Sequence, residues 1–362
     1  MSRFTATYHV RSDARSIEAR AEAIAVEQSV EMPLSAIEDQ RILDEIVGKV
    51  EDVRDIGNGA FAVRIALSAD TAGSDAGQLI NMLFGNTSLQ EDVVLHDAEF
   101  PDDVVAPFGG PNVGLDGLRA RAGAAGRALT CSALKPQGLA PDGLAALAGR
   151  FARGGIDYIK DDHGLADQAY SPFAARCDAV AAALRATGEH ARYVPSLSGD
   201  LDALRAQIAA AKDNHIDTVM VQPMIMGLSN FAKLVAENRD VAFFAHPTLA
   251  GAARISPQFL FGKVFRMLGA DALVFPNHGG RFGYTPQTCR ALAQTALAGW
   301  HGLKPAVPVP AGGMTTDRVA EMLDFYGSEV MLLIGGALLE ARERLTQETA
   351  TFVETVKGYR YG

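Results

Sequence analysis

From about residue 130 to the end of the chain, short apolar runs alternate with segments whose apolar residues recur every 3.6 positions. The runs are rich in β-branched residues, which is typical of strands, and the segments are rich in Ala and Leu, which is typical of helices. The runs occupy residues 130–135, 156–160, 192–197, 217–222, 241–246, 271–276, 306–310 and 329–334. The helical segments lie near 142–153, 173–187, 200–213, 229–238, 257–268, 286–299, 315–325 and 337–348.

Eight strands, each followed by a helix, predict a (β/α)₈ TIM barrel over residues 129–362. The runs do not alternate strictly between apolar and polar residues, as expected for parallel strands that are covered on both faces. Asp200 and the pair Ser256-Pro257 are typical helix-opening residues at two of the predicted helices.

Residues 1–128 follow a different pattern, which predicts a smaller α+β domain before the barrel. The segment 4–10 alternates like a strand, 14–29 is helical, and 76–85 is helical or extended. Residues 50–67 predict a β-hairpin with Gly57-Asn58-Gly59 at its turn. The glycine-rich stretch 108–127 is expected to be a linker and a lid over the barrel.

The composition predicts a soluble protein with a large core, which we expect in the cytoplasm. Hydrophobic residues make up 48% and charged residues 21% of the chain, and the net charge is −10. This acidity argues against nucleic acid or an anionic membrane as the main partner, although a local site can still bind an anion. We find no secretory signal and no apolar run of the ~18 residues that span a membrane. Cys131, Cys177 and Cys289 are scattered, which indicates reduced thiols.

Charged and polar residues collect where the predicted strands end, at the barrel face that carries active sites. They are Lys135, Lys160-Asp161-Asp162-His163, His246, Asn277-His278-Gly279-Gly280, Ala311-Gly312-Gly313 and Gly335-Gly336. Two lysines, two acids and three histidines are therefore expected on one rim.

The glycine pairs Gly312-Gly313 and Gly335-Gly336 predict a phosphate site. In barrels of this type the loops after the seventh and eighth strands commonly bind phosphate through backbone N–H groups. One such pair is more often a simple turn, but two pairs in these two loops favour the phosphate interpretation.

Lys160, Asp162 and His163 either hold a divalent cation or form a salt-bridged strand end. Lys135 is either a surface lysine or a base in a closed site. His246 is either a core residue or a rim residue. His278 lies between loop-forming residues, which favours the rim.

Five segments resemble the RuBisCO superfamily, specifically its form IV or RuBisCO-like branch, over nearly the whole chain. They are AVEQS (25–29), MLFGNTSL (82–89), LKPQGL (134–139), GGIDYIKDDH (154–163), and the pair PAGG (310–313) and LIGG (333–336). The motif at 154–163 is the most specific, because it closely resembles the family's motif Gly-Gly-Leu-Asp-Phe-x-Lys-Asp-Asp-Glu after strand 2.

The resemblance implies roles for the rim residues. Lys160 matches the lysine that is carbamylated by CO₂ to become a Mg²⁺ ligand, and Asp162 matches the second ligand. Lys135 matches the acid/base lysine, and His246 and His278 match histidines after strands 5 and 6.

The resemblance also implies a homodimer whose two active sites are shared between subunits. Glu27 matches the glutamate of the N-terminal domain, and Asn86 matches an asparagine there. Both would act in the active site of the partner subunit.

Four departures from the family pattern change the expected chemistry. The third metal ligand is His163 instead of glutamate, and the second lysine of the strand-1 motif is Gln137. An arginine beside the strand-5 histidine is Pro247, so we expect one phosphate to be bound. The loop NHGGRFGYTP (277–286) is short and lacks the flexible lysine of carboxylases, so carbon dioxide fixation is not expected.

The resemblance implies an enzyme that enolises a phosphorylated sugar through a Mg²⁺-stabilised enediolate. Our first choice is isomerisation of 5-methylthioribulose 1-phosphate. The alternatives are a 2,3-diketo-5-methylthiopentyl-1-phosphate enolase of methionine salvage, a transcarboxylase/hydrolase of 3-oxo-isoapionate 4-phosphate, and a non-catalytic regulatory barrel.

Four apolar residues are candidates to line the thioether end of the favoured substrate, with ordinary packing as the alternative. They are Met224, Met226, Phe261 and Phe282, and packing is the preferred interpretation for Phe261.

Overall fold

The computed structural model describes residues 2–361, and the chain forms two compact units. The first unit comprises Met1–Gly109 and Leu249–Leu260, and the second comprises Gly110–Thr248 and Phe261–Gly362. Residues 110–128 thus belong to the same unit as the barrel strands. The domain boundary predicted between residues 128 and 129 stays a prediction.

Strands and helices are numbered separately along the described chain. The strands are β1 (Arg3–Arg11), β2 (Lys49–Gly57), β3 (Ala60–Ser68), β4 (Val93–Glu99), β5 (Leu129–Leu134), β6 (Tyr158–Asp161), β7 (Arg192–Val194), β8 (Thr218–Val221), β9 (Ala242–Ala245), β10 (Ala272–Pro276), β11 (Val307–Ala311) and β12 (Met331–Leu333). The α-helices are α1 (Ile17–Glu27), α2 (Ala76–Phe84), α3 (Asp102–Val105), α4 (Gly114–Ala122), α5 (Pro141–Arg153), α6 (Phe173–Thr187), α7 (Leu201–Asp213), α8 (Pro223–Met226), α9 (Leu228–Glu237), α10 (Pro257–Phe259), α11 (Pro286–Leu297), α12 (Val319–Tyr326), α13 (Gly336–Leu339) and α14 (Leu345–Gly358).

The first unit is built on an antiparallel sheet of strand order β2-β3-β1-β4. In β1 the residues Phe4, Ala6, Tyr8 and Val10 are buried and their neighbours are not, as the alternating sequence predicts. The predicted hairpin is confirmed, since β2 and β3 pair and Gly57, Asn58 and Gly59 all have positive φ angles. The segment 76–85, left open between helix and strand, forms α2.

The first unit also contains features that the sequence did not indicate. β4 pairs with β1, and residue Ile255, far along the chain, forms a parallel bridge with Leu95 of β4. A helix opens at Ser256-Pro257 as the sequence predicted, since Ser256 is the N-cap residue of α10 and Pro257 is its first residue. The Ser256 hydroxyl makes no capping hydrogen bond within the helix and donates instead to the carbonyl of His96 in β4.

The second unit contains eight parallel strands arranged as in an α/β barrel. Hydrogen bonds form two four-stranded halves, of order β12-β5-β6-β7 and β11-β10-β9-β8. A parallel bridge between Ser196 and Met220 links the first half to the second. The predicted barrel architecture is confirmed in the number, order and direction of its strands.

The residues 108–127 are not the predicted lid, because α4 within them packs into the hydrophobic core of the barrel. Leu115, Leu118 and Ala122 are buried against inward-facing side chains of the strands. Asp271, which precedes β10, accepts hydrogen bonds from the backbone N–H groups of Val113 and Gly114 at 2.6 and 2.7 Å. α4 therefore covers the amino-terminal end of the strands, opposite to the rim that carries Lys135 and Asp162.

Several predicted helices differ in detail from the observed ones. The segment predicted as a helix at 257–268 begins with α10 and continues as a π turn at Leu260–Phe265. The segment predicted at 337–348 is divided into α13, a 3₁₀ turn at Arg342–Arg344 and α14. The break coincides with a positive φ angle of 48° at Arg342.

Two further observations bear on the expected environment. No helix among residues 2–361 is long and apolar enough to cross a membrane. Cys131, Cys177 and Cys289 are free thiols and are buried, as the sequence predicted.

Candidate active site

The register of two neighbouring strands places Lys135 beside Asp162. Ala133 of β5 lies opposite Lys160 of β6, and Leu134 lies opposite Asp161. The next residues along, Lys135 and Asp162, therefore leave the sheet side by side, and the Lys135 ammonium donates to Oδ2 of Asp162. The sequence prediction that these two residues share one rim agrees with this contact.

Asp162 is held as a carboxylate by several donors. Its Oδ1 accepts from the backbone N–H of Gly164 at 2.9 Å and from the Gln137 amide at 3.3 Å. Burial opposes its ionisation, but the Lys135 and Gly164 hydrogen bonds and the charges of Lys135 and Lys160 outweigh burial and lower its pKa. The carboxylate is therefore ionised at neutral pH.

Lys160 is a buried lysine, with only 4% of its surface exposed. Its amine donates to the carbonyl of Asp161 at 2.6 Å. Burial lowers the pKa of Lys160, and the Lys135 charge lowers it further against the opposing effects of Cys131 and Asp162. At a given pH, a larger fraction of Lys160 is therefore the neutral amine than in an exposed lysine.

A buried network of hydrogen bonds around Asp161 fixes the end of β6. Asp161 is fully buried and pairs with Arg176 Nε at 3.0 Å, also fully buried. It accepts from the Tyr193 hydroxyl at 2.7 Å and from the Ser196 N–H at 3.0 Å. Because each carboxylate oxygen has a donor, the backbone of residues 160–162 is tied to α6 and β7.

The two histidines of the rim that follow β6 and β9 lie together. The rings of His163 and His246 are stacked, with centroids 4.5 Å apart. Nδ1 of His246 shares a hydrogen bond of 2.6 Å with the Thr248 hydroxyl. Burial, together with the charges of Lys160 and His163, lowers the pKa of His246 to about 2, so its imidazole is neutral at physiological pH.

His163 is the least shielded of these side chains and lies 3.4 Å from Asp162 through its Nδ1. Burial and the positive charges of Lys160, Lys135 and Arg281 lower its pKa, against the effect of Asp162. Its imidazole is therefore available as a neutral ligand or hydrogen-bonding group.

Lys160, Asp162 and His163 can hold a divalent cation only if Lys160 offers an oxygen atom. No three His, Cys, Asp or Glu side chains of the described chain are arranged to hold a metal ion. Asp162 and His163 offer one carboxylate and one imidazole, and Lys160 presents an amine instead of oxygen. Addition of CO₂ to the neutral amine would turn Lys160 into an oxygen ligand, which Mg²⁺ prefers. The donor set fits the cation when Lys160 carries a carbamate.

The predicted phosphate glycines have the backbone geometry that an anion cradle needs. Gly312 and Gly313 have φ angles of 82° and 92°, a conformation that strongly favours glycine. Gly335 precedes α13, which begins at Gly336, so the first N–H groups of this helix have no partner within the helix. Phosphate binding at these four residues stays a prediction.

His278 packs against α12. Its ring contacts Phe325 of α12 with centroids 4.5 Å apart, and its Nε2 is buried without a hydrogen-bond partner. Among the described residues, no hydrogen bond connects it to Lys135, Lys160 or Asp162. Its catalytic role stays a prediction.

Glu27 and Asn86 meet within the first unit. The Asn86 amide donates to Glu27 and to Glu31, each at 3.0 Å. The two residues that the family resemblance singles out in this part of the chain thus form one exposed cluster, although they are 59 residues apart.

The candidates for an apolar substrate end differ in exposure. Phe261 is 1% exposed, which agrees with its packing interpretation, whereas Phe282 is 54% exposed. Met224 and Met226 are half-buried around α8. Phe282 alone among the aromatic pair can meet a ligand.

Sequence reasoning missed two residues that support the cluster, Thr248 and Gln137. Thr248 follows His246 by two positions, a spacing at which a hydroxyl can reach the imidazole. Gln137 was noted only as a departure from the family, but its amide contacts Asp162.

The chain is similar to known proteins over its whole length. A family model described as the catalytic domain of the ribulose bisphosphate carboxylase large chain matches residues 114–340. The 5-methylthioribulose-1-phosphate isomerase of Rhodospirillum rubrum is 62% identical, over 98% of this chain and 96% of that protein. Ribulose bisphosphate carboxylase-like protein 1 of Rhodopseudomonas palustris is 55% identical over 99% of this chain and 98% of that protein. The crystal structure of a Rubisco-like protein from Rhodopseudomonas palustris superposes with a TM-score of 0.93 at 50% identity, covering 100% of this chain and 99% of the other.

Proposed function

The chain belongs to the ribulose bisphosphate carboxylase large-chain family, and from this premise we propose that it isomerises 5-methylthioribulose 1-phosphate by proton transfer. The observation that carries the choice of substrate is the 62% identity to the isomerase of Rhodospirillum rubrum along nearly the whole of both chains. The cluster of Lys135, Lys160 and Asp162 supports the chemistry.

Lys135 is the residue that we assign to moving the proton. It lies at the rim with its side chain 40% exposed and its ammonium on the Asp162 carboxylate. Once it has given up one proton, a lysine in this position can, as the neutral amine, take a proton from a carbon next to a carbonyl and, as the ammonium so formed, return it at the neighbouring carbon. His246, neutral and fixed by Thr248, is placed to orient an oxygen of the substrate by hydrogen bonding.

We propose that Mg²⁺ is held by Lys160 as its carbamate, by Asp162 and by His163. When bound, the cation polarises the carbonyl of the substrate and thereby acidifies the adjacent C–H bond. Among the protein groups, the Asp161 network fixes the backbone from which Lys160 and Asp162 project.

The substrate phosphate is assigned to Gly312, Gly313, Gly335 and Gly336. Backbone N–H groups at such turns and at a helix start favour an anion. Pro247 supplies no charge next to His246, which fits a substrate with one phosphate and an uncharged thioether end.

We further propose a cytoplasmic homodimer in which Glu27 and Asn86 complete the active site of the partner subunit. Their mutual hydrogen bond gives a preformed pair that a second chain can receive. The buried free thiols agree with a reducing compartment.

Carboxylation is not part of the proposal, because residues 277–285 between β10 and α11 contain no lysine. The enolase of methionine salvage, the transcarboxylase/hydrolase and a non-catalytic regulatory role are the rival assignments. They differ from the isomerase in the compound that reacts, or in the absence of any reaction.

The test is a substrate screen with the purified full chain, Mg²⁺ and bicarbonate, followed by ¹H and ³¹P NMR. The isomerase predicts conversion of 5-methylthioribulose 1-phosphate to a second pentulose phosphate with the phosphate ester intact. Reaction of only the diketo or the branched sugar-acid phosphate would replace the isomerase by that rival. No reaction with any of the three would favour the non-catalytic role.

A further inference from the structure

The loop after β10 is seated directly on the predicted phosphate turn. The backbone N–H of Arg281 donates to the Gly312 carbonyl at 3.1 Å. A Cβ atom on Gly280 would lie 2.0 Å from that carbonyl oxygen, so only glycine allows the two loops to approach this closely. We call residues 279–283 the arginine loop.

The contact places the ring of Phe282 over Gly312. A Cβ atom on Gly312 would lie 3.0 Å from the ring, so the ring packs on the glycine itself. Phe282 is nevertheless 54% exposed. About half of this aromatic side chain therefore stays open to solvent beside the predicted phosphate turn.

Arg281 is a cation that the protein leaves without a carboxylate. Its guanidinium carbon lies 5.5 Å from the centroid of Phe282, and among residues 2–361 no acidic side chain forms an ion pair with it. Arg318, on the neighbouring loop, is instead neutralised by Glu321 at 2.8 Å. Arg281 follows the carboxyl end of β10, so it lies at the same rim as the Lys135–Asp162 pair, which follows β5 and β6.

We propose that Arg281 binds the substrate phosphate at the Gly312-Gly313 turn, and that Phe282 shields this ion pair from water. The inference rests on the proposed function and adds to it the residue that selects phosphorylated over unphosphorylated ketoses.

An arginine is suited to this task because its planar donors match two phosphate oxygens at once. The stacked ring limits the positions that the side chain can adopt, so less freedom is lost when the phosphate arrives. Glycine turns alone supply only neutral dipoles, whereas Arg281 supplies a full charge in a chain whose net charge is −10.

The experiment compares Arg281→Gln, Arg281→Lys and Phe282→Leu with the unaltered full chain. The matched control is Arg205→Gln, which removes an arginine paired with Glu237 on the outer helices. The measurements are KM and kcat for 5-methylthioribulose 1-phosphate, the affinity for inorganic phosphate by calorimetry, and the melting temperature.

Arg281→Gln is expected to weaken phosphate binding and raise KM by about 10- to 100-fold, the usual loss for a charge-assisted hydrogen bond, with a smaller change in kcat. Arg281→Lys should fall in between, and Phe282→Leu should show a smaller increase in KM. The control should match the unaltered protein. Unchanged phosphate affinity in Arg281→Gln, or no measurable phosphate binding by the unaltered protein at millimolar concentration, would overturn the inference.

The phosphate titration separates this inference from the proposed function. If the unaltered protein binds phosphate without converting the methylthio substrate, and Arg281→Gln binds phosphate more weakly, the proposed function fails and the role of Arg281 stands. If the unaltered protein converts the methylthio substrate and Arg281→Gln binds phosphate equally well, the proposed function stands and the role of Arg281 fails.

Discussion

At the scale of single residues, the burial of Lys160 is expected to lower the stability of the folded protein. A buried amine with one carbonyl partner is costly, and burial disfavours its charged form. Lysines kept in such positions are candidates for function, because the lowered pKa gives a reactive neutral amine. The sequence located this residue through its motif, but only the structure shows that it is buried.

Replacing Lys135 is expected to disable proton transfer without disrupting substrate binding. Lys135→Met should lower kcat by roughly 10²–10⁴-fold, the usual contribution of a general acid/base, and change KM little. Turnover of 5-methylthioribulose 1-phosphate by NMR measures both. Lys233→Met on the exposed face of α9 serves as the control, and a kcat within a few-fold of the unaltered enzyme in Lys135→Met would exclude the assigned role.

His9 makes the stability of the protein depend on pH below neutrality. Its ring stacks on His96 at 3.7 Å, and burial and the charges of His96 and Arg54 lower its pKa from 6.5 to about 4. The unfolded chain therefore binds more protons between pH 6.5 and 4, so this contribution to stability is complete above pH 6.5 and is lost as the pH falls.

His9→Asn should consequently reduce the fall in melting temperature between pH 7 and pH 5. Calorimetry of both proteins at the two pH values measures the difference. An equal fall in the variant and in the unaltered protein would contradict the assignment to His9.

At the scale of elements, the strands and most helices of the barrel followed from hydrophobic periodicity. Local pattern sufficed because each βα unit buries its own apolar face. It did not suffice for α4, whose Leu115 and Leu118 stand among six glycines in residues 108–127 and so resembled a linker. It also missed the pairing of Ile255 with Leu95, since contacts between residues so far apart leave no local periodicity.

α4 is expected to act on stability alone. Leu118 is fully buried in the barrel core, so Leu118→Ala should lower the free energy of unfolding by about 2–5 kcal/mol. Leu89→Ala, at a position 81% exposed, should change it by less than about 0.5 kcal/mol. Denaturant titration measures both, and kcat of the folded Leu118→Ala protein should be unchanged because α4 lies at the opposite end of the strands.

The candidate site was predictable to the extent that strand ends converge on one rim. Motif order located Lys135, Lys160 and Asp162, and the parallel register then set the Lys135–Asp162 contact. The direction of a side chain in a loop cannot be predicted in this way, because no strand register fixes it. The sequence therefore indicated neither the contact of the His278 ring with Phe325 nor a role for Arg281.

At the scale of the whole molecule, the proposed dimer predicts that two inactive variants restore each other. A Lys135→Met subunit and an Asn86→Ala subunit each spoil a different half of a shared site. A mixed dimer would contain one intact site of two, so random mixing should recover about a quarter of the unaltered activity. Coexpression followed by the NMR assay tests this, and no recovery in demonstrated mixed dimers would place Asn86 outside the partner's site.

The most direct test of the central claim is deuterium uptake by 5-methylthioribulose 1-phosphate in D₂O, followed by ¹H NMR with the unaltered protein and with Lys160→Met. Because Lys160 is buried at a cost, the variant should melt at the same temperature or higher. The account predicts that the unaltered protein places deuterium on carbon next to the carbonyl while the folded variant does not. Equal deuterium uptake by both proteins, or none by the unaltered one, would contradict it.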